Sequence, residues 1–352
     1  METPLFGAVM VFTLSAGLIA VFGSVLSKLA DRLADATGMG EALMGGIFLG
    51  SMTSLSGITS SVTAAAEAHA HLSFSNAVGG LAVQTAFLPL ADLAYRKVNL
   101  EHAAASLSNI MQAALLIALL ALPLLAATGP DLSVLSVHPV SLVLVAAYVL
   151  GMRQIARSGD NPMWAWKHTP ETRPDVPKHQ RETARALARL WAQFAGCSVV
   201  IVIAGYAIAQ SGITIAAQTG LSEGFVGAVF TGVFTSLPEL VTSVSAVRTG
   251  ALTLAVGGIV GGNCFDVLFL SFSDIAYREG SLYHAVGQQQ LFLVSLTILL
   301  NCIILMGLLH REKRGIANIG WESILVLIAY ALGSSEPPSS STRKAPASSE
   351  AY

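Results

Sequence analysis

The stretch Gly232-Val233-Phe234-Thr235-Ser236-Leu237-Pro238-Glu239-Leu240 places a carboxylate, two hydroxyls and a proline inside an apolar segment running from about 223 to 247. That segment is long enough to cross a bilayer. Pro238 has no backbone N–H and clashes with the preceding turn, so a helix should break or kink there and free carbonyls near Gly232–Thr235. Freed carbonyls, hydroxyls and a carboxylate are hard oxygen ligands, suited to Na+ or Ca2+. Glu239 lies about midway along the span, where an ionised carboxylate is costly unless it meets a cation, a proton or a partner. A plainer reading stands beside this one, since Ser236-x-x-Glu239 also fits a capping box for the second half-helix.

The rest of the chain agrees with a membrane setting. Of 352 residues, 53% are hydrophobic and only 11% charged, and mean hydropathy is +0.66. Soluble domains carry about 25% charge. Twelve of the forty charges fall at 153–189. Ten apolar segments can be marked, at about 5–29, 40–66, 74–95, 103–127, 134–152, 191–210, 223–247, 251–276, 285–309 and 317–333. The first is too long for a signal-peptide core and lacks a basic start, so it is expected to be retained. Cys197, Cys264 and Cys302 lack metal-ligand spacing and read as packing residues. Sixteen of the nineteen Lys and Arg fall on one side of alternate loops, which predicts a cytoplasmic loop at 153–190 and both termini outside. Arg181, Arg185 and Arg189, four apart, suggest an amphipathic helix at the headgroups over 182–191. Residues 334–352 are Ser/Pro-rich and expected to be disordered. No basic run points to nucleic acid.

The quoted stretch has an earlier counterpart, offset by 182 residues. Gly45, Phe48, Gly50, Thr53, Ser54, Leu55, Ser61 and Val62 match Gly227, Phe230, Gly232, Thr235, Ser236, Leu237, Ser243 and Val244. Asp92-Leu93-Ala94-Tyr95-Arg96 matches Asp274-Ile275-Ala276-Tyr277-Arg278 at the same offset, while Ala77-Val78-Gly79-Gly80 aligns with Ala255-Val256-Gly257-Gly258 only after a four-residue shift. Five spans separate the copies, and five is odd, so the second copy is inserted upside down. The expected fold is an all-α polytopic membrane protein of about ten transmembrane helices in two inverted five-helix repeats, at 1–152 and 191–333. Such repeats meet at mid-bilayer and suit alternating access.

The eighth segment carries Gly257-Gly258-Ile259-Val260-Gly261-Gly262-Asn263-Cys264-Phe265-Asp266. Its glycines permit close helix approach, and Asn263 and Asp266, three apart, share a face. The first copy differs, with Ser56 and Gly57 standing where Pro238 and Glu239 stand. Its candidate ligands are the hydroxyls of Thr53 and Ser54 and the Gln84-Thr85 pair, which the shifted alignment sets near the positions of Gly261-Gly262-Asn263. Glu67, His69 and His71 are expected in a solvated outer loop, with metal capture the sharper alternative. Asp92 and Asp274 are spaced for ion pairs with Arg96 and Arg278. No His-Glu-x-x-His or Gly-x-Ser-x-Gly argues for an enzyme.

Gly-x-x-Thr-Ser-Leu-Pro-Glu-Leu followed by Ala-Val-Gly-Gly-x-x-Gly-Gly-Asn-x-Phe-Asp resembles the second alpha-repeat of sodium/calcium exchangers, within the calcium/cation antiporter superfamily. The resemblance is specific over about 223–270, within a second repeat region at about 221–278, and weaker over about 39–96. It implies ion binding between helices 2, 3, 7 and 8, with helices 1 and 6 sliding over that core. Carried over, Glu239, Thr235, Ser236, Asn263 and Asp266 would be ligands, with Glu239 and Asp266 the charged ones. The transported cations would be Ca2+, Na+ or H+, with no cofactor. Two departures matter. The family usually has an acid where this chain has Gly57, and Gln84 is reminiscent of the cation/proton exchanger branch. The expectation is a secondary cation antiporter, with a cation/proton exchanger or a passive cation channel as alternatives, in a bacterial inner membrane.

Overall fold

The computed structural model describes residues 4–37, 54–94, 99–104, 106–158, 183–249, 252–310 and 320–334. It is helical throughout these residues, with one isolated bridge between Val134 and Val137 and no strand. The helices are α1 (Leu5–Thr37), α2 (Leu55–Ala66), α3 (Ala70–Ala94), α4 (Leu100–Ala104), α5 (Leu107–Thr128), α6 (Pro139–Ser158) and α7 (Ala184–Thr219). A segmented helix follows, made of α8 (Glu223–Phe225), a π-helix (Val226–Thr231), α9 (Gly232–Thr235) and α10 (Leu237–Thr249). The chain continues through α11 (Leu252–Asp266), α12 (Leu268–Ala276), α13 (Leu282–Ala285), α14 (Gln288–His310) and α15 (Trp321–Ser334). Seven helices among the described residues are long and apolar enough to cross a membrane, or eight when the bent pair Glu223–Thr235 with Leu237–Arg248 is counted as one span. This is an integral multi-pass membrane protein.

Composition decides which helices lie inside. In α3, 94% of the apolar window is buried, against 28% in the first span, Leu5–Leu26. Ser73, Ser75, Asn76, Gly79, Gly80, Gln84 and Thr85 give α3 small or polar residues on every face, which only protein neighbours can accommodate. Phe6, Leu14 and Val21 of α1 are exposed, as lipid-facing residues should be. The other face of α1 packs along α7. Phe12, Ala16 and Ile19 cluster with Ala204, Ile208 and Ile215, and Leu26, Leu29 and Leu33 with Leu190, Phe194 and Ile201. The two helices therefore run antiparallel. The helix expected to lie at the headgroups over 182–191 is instead continuous with the following span, because Thr183 caps Ala186 N–H and nothing breaks the chain before Gly220.

Two glycines set how closely α1 and α7 approach the interior. A Cβ on Gly23 would sit 2.4 Å from Pro238 Cγ, and one on Gly205 would sit 2.8 Å from the Ser56 carbonyl oxygen. Gly23 and Gly205 are 182 positions apart, as are Ser56 and Pro238, so the same contact is made twice.

A second contact is also made twice, and at Asp274 it stands where an ion pair with Arg278 was expected. Asp92 accepts hydrogen bonds from Leu100 N (2.8 Å), Gly320 N (3.4 Å) and Ser323 Oγ (3.4 Å). Asp274 accepts from Leu282 N (2.9 Å), His138 N (2.8 Å) and Ser141 Oγ (2.7 Å). Every matching pair of positions again differs by 182. Each carboxylate ties unsatisfied N–H groups near helix starts, a role that a neighbouring arginine would only compete for. Arg96 lies outside the described residues. Asp274→Ala should therefore destabilise the protein by roughly 3–5 kcal/mol, since buried donors lose their acceptor, whereas Arg278→Ala should stay within about 0.5 kcal/mol. Thermal unfolding in detergent checks both, and a larger loss from Arg278→Ala would restore the ion pair.

Candidate functional site

The segmented helix interrupts where the sequence predicts. α9 ends at Thr235 and α10 begins at Leu237, which puts Pro238 in the first turn of a helix, where a missing N–H costs little. Glu239 falls in the same first turn and is buried. The partial positive charge of a helix N-terminus favours a carboxylate there. Upstream, the π-helix and the adjoining glycines bring this helix against α3 backbone to backbone. A Cβ on Gly79 would lie 2.5 Å from Ala228 Cα, and one on Gly232 would lie 2.9 Å from Gly80 N. The partner span, Ala255–Ala276, continues past Asp266 without a break, since Val267 keeps a helical backbone and its N–H bonds Asn263 O (3.2 Å).

Around this interruption four predicted residues form one buried network. Ser54, just before α2, donates its hydroxyl to Asp266 Oδ1. Gln84 of α3 donates from Nε2 both to Asp266 Oδ2 (2.9 Å) and to Ser236 Oγ (3.1 Å). Ser236 thus reaches across a helix interface, beyond any capping of its own helix. Ser236 follows Ser54 by 182 positions, and Asp266 follows Gln84 by 182. The bonds Ser54–Asp266 and Ser236–Gln84 are therefore one contact made twice. In these contacts Gln84 is the counterpart of Asp266, and the four-residue shift that sets it against Gly261-Gly262-Asn263 does not carry over. At both positions where the second copy has an acid, Glu239 and Asp266, the first copy has a neutral residue, Gly57 and Gln84.

Gly57 also leaves no space for a side chain. A Cβ there would lie 2.6 Å from Phe269 Cε2, and Phe269 is in turn stacked edge-on against Phe265. Nearby, the Thr235 hydroxyl bonds its own helix, to Thr231 O (2.8 Å), while its carbonyl accepts from Ser56 Oγ (3.0 Å). Asn263 joins the site through Nδ2, which donates to Thr85 Oγ1 (3.2 Å). The Thr85 hydroxyl itself donates to Leu81 O (2.8 Å) and also receives Asn301 Nδ2 (3.4 Å). Thr53 lies outside the described residues. The outer group separates from the site, with His69 Nδ1 2.6 Å from Glu223 Oε1 and Glu67 bonded to Gln210 Nε2. Among the described residues no three His, Cys, Asp or Glu are grouped to hold a metal, so oxygen ligands from hydroxyls, amides and carbonyls would have to join the two acids.

One residue of this region, Asn301, gave almost no sequence signal. It stands in a strongly apolar segment. Only the rarity of an amide inside such a segment marked Asn301.

The family described as sodium/calcium exchanger protein matches the chain over residues 7–153 and 189–333. The sodium/calcium exchanger MaX1 of Methanosarcina acetivorans is 30% identical over 138 residues, covering 38% of this chain and 36% of that one. The inner membrane protein YrbG of Escherichia coli is 28% identical over 118 residues, covering 34% and 33%. The matched stretches thus span about a third of these relatives. Two solved structures share the fold at 14% identity. One is the sodium-calcium exchanger NCX_Mj, at TM-score 0.61 and covering 94% of this chain and 98% of that one. The other is the H+/Ca2+ exchanger CAX, at TM-score 0.70 and covering 94% and 82%.

Proposed function

The chain belongs to the sodium/calcium exchanger family, and we propose that it is a secondary cation antiporter moving Ca2+ or a similar cation against Na+ or H+ by alternating access. The observation that carries this reading is the buried Ser54–Asp266–Gln84–Ser236 network, set at the helix interruption beside Glu239. Interrupted helices at mid-membrane are a recurring way to present oxygen ligands to ions. In this mechanism Glu239 is the main charged ligand and Asp266 the second, with Ser54, Ser236, Thr235, Gln84 and Asn263 supplying neutral oxygens. Thr85 contributes by positioning, since Leu81, Asn263 and Asn301 already engage its hydroxyl. α1 and α7 then slide across the core so that the ions meet each face in turn. The family is one of transporters rather than enzymes.

The same reading takes the architecture as ten spans in two inverted repeats. It is supported by the antiparallel α1 and α7 and by three kinds of contact repeated at a spacing of 182. The distribution of Lys and Arg supports a cytoplasmic 153–190 with both termini outside, and YrbG supports an inner-membrane location. A second reading, exchange against protons alone, is favoured by Gln84 and Gly57, which leave two carboxylates to alternate between a cation and protons.

Reconstitution into vesicles with 45Ca2+ under imposed Na+ or pH gradients tests both. Uptake driven by an outward Na+ gradient supports the first reading, and uptake that follows only the pH gradient selects the second. Flux without a counter-ion gradient would make the protein a channel and overturn antiport.

A further inference from the structure

The two copies differ most sharply at one place beyond the acidic ligands. Thr85, Asn263 and Asn301 form a buried polar triad, with both amides donating to one hydroxyl. At a spacing of 182 their counterparts are Val267, Leu81 and Leu119, all fully buried in the apolar core. The fold therefore accommodates apolar side chains at all three positions and does not need amides there. Burying an amide with an unsatisfied oxygen costs stability, so a polar triad in one copy alone asks for a ligand.

The orientation of the amides follows from the hydrogen bonds. The Thr85 proton is committed to Leu81 O, so Thr85 can only accept from its two neighbours, and both NH2 groups must turn toward it. Asn301 uses its NH2 again on Thr297 O, at 2.8 Å. The oxygens Asn263 Oδ1 and Asn301 Oδ1 are left buried and have no hydrogen-bond partner among the described residues. Gln84 Oε1, next to Thr85, is in the same condition while its Nε2 holds Asp266.

Resting on the antiporter reading above, we propose that Asn301 of α14 completes an uncharged cation subsite with Asn263, beside the Asp266 carboxylate, and that this subsite takes Na+. Neutral carbonyl oxygens without a carboxylate of their own suit a monovalent ion, whereas a divalent ion is drawn to the charged ligands. Protons gain nothing from amide oxygens, so the subsite distinguishes Na+ from H+ as the counter-ion. It also draws a helix outside the core set of four into ion recognition.

Equilibrium binding of 22Na+ to purified protein tests this without requiring transport. Asn301→Leu copies the residue at Leu119 and should weaken Na+ binding by about tenfold, with 45Ca2+ binding changed less than about twofold. If the leucine variant fails to fold, Asn301→Ser keeps a donor for Thr85 while removing the carbonyl, and should show the same selective loss. Unchanged Na+ binding, equal losses for both ions, or no Na+ binding by the unaltered protein would each overturn the subsite. Failure of the antiporter reading is separate, because it appears as absence of coupled flux in vesicles whatever Na+ binding shows.

Discussion

Glu239→Gln is expected to abolish cation exchange, by roughly 100-fold or more, which corresponds to about 3 kcal/mol of lost cation interaction. Glutamine keeps the volume and the oxygen but removes the charge, and it occupies a first helical turn that accepts a neutral residue readily. Packing around a buried, uncharged side chain is easier, so the variant should insert and fold, with thermal stability equal to or above that of the unaltered protein. Asp266 remains, yet the first copy offers Gly57 and Gln84 where it would need acids, so no other carboxylate at the repeat-equivalent positions replaces the lost charge. The measurement is Ca2+ flux in vesicles alongside unfolding in detergent. Full exchange by this variant would remove Glu239 from the site.

The second large effect is expected at Gly23 and Gly205. A methyl group on Gly23 would meet the Pro238 ring at 2.4 and 2.7 Å, and a proline ring at a helix interruption has little freedom to yield. A methyl group on Gly205 would meet the Ser56 backbone and Thr59 Cβ at 2.8–3.2 Å. Overpacking of this kind costs about 1–3 kcal/mol per site. It falls where, on the proposed antiport mechanism, α1 and α7 cross the core to change the side of access. Gly23→Ala with Gly205→Ala should slow turnover about tenfold or more, while the cation concentration for half-saturation stays near that of the unaltered protein. Turnover and half-saturation measured together separate a blocked motion from a damaged site. A double variant with normal turnover would show that these helices do not move over Pro238 and Ser56.

Much of this was legible in the sequence, for physical reasons. A membrane span needs a long apolar run, and Pro238 and Glu239 inside one are too costly to be incidental, so the interruption and the buried carboxylate could be read directly. The offset of 182 was legible from Asp92 and Asp274, but their role was not. Carboxylates that bond backbone N–H groups leave no partner residue type to recognise, so the nearby Arg96 and Arg278 suggested ion pairs. The pairing of Gln84 with Asp266 was hidden for a similar reason, because Ala and Gly repeat often enough in these helices to align at a false shift. The continuity of α7 from Ala184 was obscured by its arginines, which look like a headgroup helix but sit on the exposed end of a longer one. Asn301 gave no pattern at all, and its meaning depends on Thr85, which comes from a distant part of the chain.

The paired carboxylates have a consequence for the order of assembly during synthesis. Asp92 lies near the end of the third span, yet two of its hydrogen-bond donors, Gly320 and Ser323, are 228 and 231 residues further along the chain. At a translation rate of about 5–20 residues per second, those donors emerge roughly 10–45 s later. Asp274 is released from the same wait, since His138 and Ser141 are already in the membrane when it is made. The first half is therefore held incomplete until α15 arrives, and a ribosome stalled before residue 320 should leave a chain whose early helices remain open to proteolysis.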